Sequence, residues 1–216
     1  MANGKVITGF SLPWVALYSA SEGTVTYSGG IPLARGVNVQ LSVEGANDTK
    51  FHADNVLAES DNQAFSSGTA TVVVDGLKEA ARKLVSGLVT TRSVTPSGAS
   101  AAVSLDIYDD QMVVPYVGLG FIVRYMENGV TTYAPCILKK VKFSPAGLEA
   151  ATQEENIEFQ TTSLEAQIYR DDTAHHEWQI LAADQTSEED AYAVIQAILT
   201  PATRGAKAPA ASGTKG

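Results

Sequence analysis

The sequence predicts a mainly β protein with one or two flanking α-helices. Several segments alternate apolar and polar residues with a period of two, and an Asn-Gly pair sits between two β-like segments. Only two stretches repeat apolar residues at helical spacing.

The clearest strand is residues 33–44, where Leu33, Val37, Val39, Leu41 and Val43 alternate with Ala34, Gly36, Asn38, Gln40, Ser42 and Glu44. That period places one apolar and one polar row on opposite faces. Arg35 interrupts the apolar row, and its long stem allows it to reach a sheet edge. Residues 69–75 form a second strand, with β-branched Thr71, Val72, Val73 and Val74. Leu77, Ala80, Ala81, Leu84 and Leu88 make a helical stripe, with Asp75 placed as its cap and Gly87 as its stop. Residues 90–102 are small and polar and read as a loop; residues 104–108 restart the sheet.

Asn128 and Gly129 supply the positive φ angles of a tight type I′ hairpin turn. A two-residue turn sets Val123 opposite Ala134 and Phe121 opposite Cys136. Leu119, Phe121, Val123 and Tyr125 then share a face with Thr132, Ala134, Cys136 and Leu138. The other face carries Ile122, Tyr133, Ile137 and Val141, so protein is expected on both sides, either a helix of the same chain or a neighbouring subunit. Residues 159–169 and 177–182 are further strands around a turn-like 170–174. Thr186 and Glu189 have capping-box spacing and open a second helix with Ala191, Val194, Ile195 and Ile198 as its buried stripe; Pro201 ends it. The chain reads as one domain over residues 1–200 followed by a flexible Ala-, Gly- and Pro-rich arm, 201–216.

A chain of 216 residues buries roughly 70% of its unfolded surface, enough for a core without staples. Its one cysteine, Cys136, permits no internal disulfide. No apolar run approaches the ~20 residues needed to span a bilayer, and the first residues lack a signal-like apolar stretch. A soluble protein made in a cytoplasm is therefore expected, with no membrane partner. Fifteen basic against 24 acidic residues give a net charge of −9, which repels phosphate and argues against tight wrapping around nucleic acid. Charged residues are only 18%, below the ~25% of ordinary domains. Both a Gly-, Ser- and Thr-rich β protein and a surface facing other protein account for that.

Candidate chemistry is sparse. Histidines are limited to His52, His175 and His176. Asp171, Asp172, His175 and His176 are good ligand types, but their spacing matches no standard metal pattern and a polar hairpin tip is the favoured reading. Cys136 lies mid-strand on an apolar face, where a thiol is usually inert. Asp109 and Asp110 are adjacent and point to opposite faces of an extended chain, so they share no substrate. Gly118 and Gly120 lack the strand, turn and helix order of a phosphate loop and instead permit a close approach or a bulge. No aromatic residues interleave with basic ones, so a single-strand nucleic-acid platform is unsupported. No enzyme activity, catalytic residue, metal or cofactor is expected.

Several stretches together resemble the major tail (tail-tube) proteins of long-tailed bacteriophages of Gram-positive bacteria, of the phi13 type. They are PWVALYS (13–19), GTVTYSGGIPL (23–33), FHADNVLAES (51–60), VDGL (74–77), PYVGLGF (115–121), NGVTTY (128–133), KVKF (140–143) and EFQTTSLEAQIYRDD (158–172). They occur in order over residues 13–199. The His-rich turn 174–176 and the end after Pro201 depart from the resemblance. The resemblance implies two β-sheets packed as a sandwich or partial barrel with a flanking helix. It also implies hexameric rings that stack into a hollow tube in the virion tail, assembled in the host cytoplasm. The partners implied are other copies of the chain, a tape measure protein, and tail terminator and tip proteins; DNA passes through the lumen without specific binding. Acidic residues facing the lumen would keep DNA from sticking, at a Debye length of ~8 Å.

The long polar stretch 45–55 is read as a loop, and its residues Ala46, Asn47, Asp48, Thr49, Lys50, Phe51, His52 and Asp54 are the candidate contact with a neighbouring subunit or ring. Rival functions are another tube-like component, such as a terminator or secretion-type tube protein, and a carbohydrate-binding β-sandwich module. The latter usually shows clustered exposed aromatics, whereas Trp14 and Trp178 are distant in sequence.

Overall fold

The computed structural model of the chain describes residues 4–45, 49–53, 56–61, 65–145, 147 and 160–200, with 49–53 and 56–61 described through their backbone alone. The elements follow in the order β1 (Val6–Ser21), β2 (Thr24–Pro32), β3 (Gly36–Glu44), β4 (Thr49–Ala53), β5 (Val56–Asp61), β6 (Ser67–Val74), α1 (Glu79–Ser86), β7 (Thr91–Val94), β8 (Val103–Asp106), β9 (Val117–Glu127), β10 (Val130–Phe143), β11 (Thr162–Tyr169), β12 (Gln179–Leu181) and α2 (Glu188–Leu199). The protein is mainly β. Eight strands form one sheet in the order β2-β1-β9-β10-β11-β6-β3, with β12 on β10, and every pairing is antiparallel.

This sheet bends into two layers at β10. One edge of β10 pairs with β9 for most of its length; the other is divided between β12, at Cys136 to Leu138, and β11, at Lys140 to Phe143. The register slips between Leu138 and Val141. A bulge of this kind sharpens local twist, which lets one strand serve both layers. It also moves Val141 to the inner face with Leu138, not to the outer face with Ile137 as strict alternation predicts. Between the layers, Val15, Leu119, Phe121 and Leu138 meet Val72, Val74, Leu164 and Ala166, all buried, with Val39 and Leu41 of β3 packed against them. Each fully buried side chain of this size contributes about 1.5–3 kcal/mol of transfer free energy. The sandwich-like arrangement thus agrees with expectation.

The Asn-Gly turn is as read: Asn128 and Gly129 take φ of 50° and 80°, Val123 pairs with Ala134, and Phe121 pairs with Cys136. The outer face of the hairpin is covered by the chain's own α2. Ala191, Ile195 and Leu199 pack on Trp14, Ala16, Ile122 and Ile137. Gly118 and Gly120 make that approach possible. A Cβ on Gly120 would lie 2.5 Å from Cγ2 of Ile195, and one on Gly118 would lie 2.6 Å from Cδ2 of Leu199.

Other local expectations shift. Asp75 does not cap α1, whose N-cap is Lys78 without a side-chain bond. Its carboxylate instead accepts from Arg35, through Nε at 2.5 Å and backbone N–H at 3.0 Å, and ties β3 to β6. Ala80 is exposed, and α1 buries Ala81, Val85 and Ser86 before stopping at Gly87 in the left-handed region, φ 66°. The cap of α2 falls one residue later than the capping-box spacing suggested: Ser187 Oγ accepts from Asp190 N–H at 3.1 Å. In β3, Val37 and Val43 are exposed despite the alternation, Val37 beside a bulge between Gly36 and Asn38. Phe159 and Pro201 lie outside the described residues.

Candidate functional site

β2 and β3 are the edge strands of the main sheet. Edge strands present unpaired N–H and C=O groups, which nature either blunts or uses for association. Two hairpins pair outside this sheet. The stretch 45–55, read as a loop, contains β4, which pairs with β5 so that Thr49, Lys50 and His52 face Asp61, Ser60 and Leu57, with a bulge between Phe51 and His52. Ala46, Asn47, Asp48 and Asp54 lie outside the described residues. The candidate contact is therefore in part a strand-paired hairpin.

The second hairpin was missed in the sequence. Residues 90–102 include β7, and β8 does not rejoin the main sheet; among the described residues the two pair only with each other, Thr91 with Asp106 through Val94 with Val103. Alternation puts Arg92, Leu105, Val94 and Val103 on one face and Thr91, Asp106, Ser93 and Ser104 on the other. Asp106 anchors its face to α1, accepting from Arg82 Nη2 at 2.8 Å and lying 2.9 Å from Lys83 Nζ. Neighbouring carboxylates, Glu79 first and then Asp106, hold the Lys83 ammonium above its usual pKa.

A cleft of about 410 Å³ opens between β1 and β9 on one side and β3 on the other, lined among others by Ile7, Phe10, Val37, Phe121 and Leu181. Cys136 lies at its wall, buried, with Gln179 Nε2 donating to Sγ at 3.1 Å. Burial pushes this thiol above its ordinary pKa, the opposite of what a nucleophile needs.

The Asp171, Asp172, His175 and His176 group is a tied turn. Asp171 is buried, its carboxylate paired with Lys139 and accepting from Thr173 Oγ1 at 2.6 Å. Burial alone would raise its pKa; the ammonium and hydroxyl donors outweigh that and hold it below the usual range. Lys139 also reaches Glu177 at 2.6 Å. Asp172 accepts from Lys140 at 2.7 Å and Tyr18 at 2.7 Å, which lowers its pKa too. His176 has φ 51° and sets Nδ1 3.2 Å from the Asp171 carbonyl. Among the described residues no group of three or more His, Cys, Asp or Glu is placed to hold a metal ion. Asp109 accepts from the N–H of Gln111 at 3.0 Å in a surface turn, and Asp110 beside it is exposed.

Aromatic and basic residues do not interleave along the sequence, yet the fold brings several of them together. Folding gathers Tyr18 of β1, Tyr116 just before β9, Lys140 and Lys142 of β10 and Tyr169 of β11. Tyr116 and Tyr169 meet edge to face at 5.4 Å, and Lys140 and Lys142 lie 4.8 and 5.6 Å from the Tyr116 ring centre. Trp14 and Trp178 stay apart, the first under α2 and the second stacked on Phe65 at 4.7 Å.

The fold and these surfaces define a two-layered, mainly β protein whose main sheet ends at β2 and β3 among the described residues, with two hairpins outside that sheet. Among the described residues no helix is long and apolar enough to cross a membrane. Compared with known protein families and with curated proteins, the sequence matches none.

Proposed function

We propose that this chain is a structural, non-enzymatic subunit that assembles with copies of itself into stacked hexameric rings, forming the hollow tail tube of a long-tailed bacteriophage. One observation carries the reading. Of the eight stretches that resemble tail-tube proteins, 13–19 lies on β1, 23–33 covers β2, 115–121 leads into β9, 128–133 and 140–143 lie on β10 and 158–172 includes β11, all in one sheet, whereas 51–60 lies on the separate β4–β5 hairpin and 74–77 starts at the last residue of β6. Six of the eight stretches thus belong to the sheet that a tube subunit would use to pair with its neighbours. The open edges β2 and β3 suit the heterologous contacts a closed ring requires. The −9 charge suits a bore through which DNA slides without binding. Tape measure, terminator and tip proteins are the partners this role implies.

The tyrosine and lysine cluster gives a glycan-binding module some support. Both lysines lie over the Tyr116 ring, however, where a sugar would stack. The test is negative-stain electron microscopy of the purified protein across protein concentrations, alongside a glycan array. Rings or hollow tubes with an unreactive array are expected; monomers at every concentration with selective glycan binding would transfer the assignment to the module.

A further inference from the structure

We propose that the β7–β8 hairpin of one subunit docks into the cleft beside β3 of a second copy. This contact presupposes the self-assembling subunit proposed above and names the surfaces that join.

The hairpin is not self-sufficient. Among the described residues its two strands pair only with each other, every residue of β7 is exposed, and a lone two-stranded ribbon is marginal in water. Its polar face is clipped to α1 through Asp106, so the apolar face is held outward. Val94, Val103 and Leu105 on that face are 47%, 50% and 40% exposed. The cleft is the matching hollow, with Ile7, Val37 and Leu181 at 65%, 54% and 62% exposure on its walls.

Area favours a second copy as occupant, and charge does not oppose it, since the residues lining the cleft are uncharged. At roughly 150–200 Å² for a fully exposed apolar side chain, these six leave on the order of 500 Å² of apolar surface in water. With flanking polar residues, that approaches the ~1,000 Å² of a specific contact. Residues 90–105 carry Arg92 and no carboxylate, while the whole chain is at −9. The hairpin up to Leu105 therefore brings no negative charge to an acidic second molecule, and its one further carboxylate, Asp106, is already paired with Arg82 and Lys83. The outer edge of β3 adds main-chain groups to which a docked strand can bond. Hairpin and cleft are different surfaces, so the contact is heterologous and propagates from copy to copy.

The test mixes two differently tagged full-length chains, both Cys136→Ser, one carrying Val103→Cys and the other Val37→Cys, under mild oxidation. Disulfide-linked heterodimers are expected at least tenfold above those formed when Ser93→Cys, on the opposite face of the hairpin, replaces Val103→Cys. Val94→Cys with Leu181→Cys is a second pair that should behave alike. Yields at the Ser93 background for both pairs would overturn the contact. Microscopy keeps the two claims separate: tubes without these crosslinks remove the docking and leave the tube, whereas crosslinks without tubes do the reverse.

Discussion

Gly120 shows how one missing side chain sets the packing of a helix. A methyl group there would meet Ile195 and Leu199 at 2.5 and 3.0 Å, so either α2 shifts outward or two buried side chains leave their rotamers. Gly120→Ala is expected to cost about 2 kcal/mol, a fall in Tm of roughly 4–8 °C by calorimetry. The sequence showed that a close approach or a bulge was wanted at this glycine, but not which helix made the approach. Asp171 gives a second residue-level outcome. Asp171→Asn strips a buried ammonium of one partner and is expected to destabilise by about 3 kcal/mol at neutral pH. Because the native carboxyl has a lowered pKa, its stabilisation is fully present above the unfolded value of about 3.9 and disappears as pH falls through the folded one. Denaturant melts of the two proteins should therefore differ by a constant amount from pH 5 to 8 and converge below about pH 4. No local pattern pointed to this pair, since Lys139 and Asp171 are 32 residues apart and meet only through β10 and the turn after β11. Asp75 failed as a cap for the same reason: Arg35, remote in sequence, competes for its carboxylate and wins.

At the scale of elements, legibility followed regularity. The β9–β10 hairpin was readable to the residue because an Asn-Gly turn fixes register. β1, the longest strand, went unread as a strand because register slips between Ile7 and Gly9 and between Ser11 and Trp14 break its alternation. β7 was lost among serines, threonines and alanines whose apolar partners lie on β8, beyond an intervening loop. The start of α2 was visible within one residue, and its cap is testable. Ser187→Ala removes the acceptor for Asp190 N–H and is expected to lower stability by about 1 kcal/mol in urea titration, with the m-value unchanged.

Taken as a whole, the molecule was legible in class but not in closure. Composition and alternation indicated a mainly β chain, yet neither shows that one sheet supplies both layers or that the layers part to leave a cleft. Those features depend on the bulge in β10 and on where β3 ends, and neither has a short-range sequence signal. The candidate site was legible in the same partial way. The 45–55 stretch was singled out for its length and polarity, whereas the β7–β8 face and its cleft exist only once distant strands are assembled. At this scale the expected behaviour is assembly, read by microscopy, and hairpin-to-cleft docking, read by crosslinking.

The double membership of β10 also has a mechanical meaning. Its ladder is loaded on one flank by β9 and on the other by β12 and then β11. Pulling this strand lengthwise would shear both flanks at once, instead of unzipping one bond after another. A chain tensioned along that axis should yield late and abruptly, a property that would suit the wall of the tube proposed above.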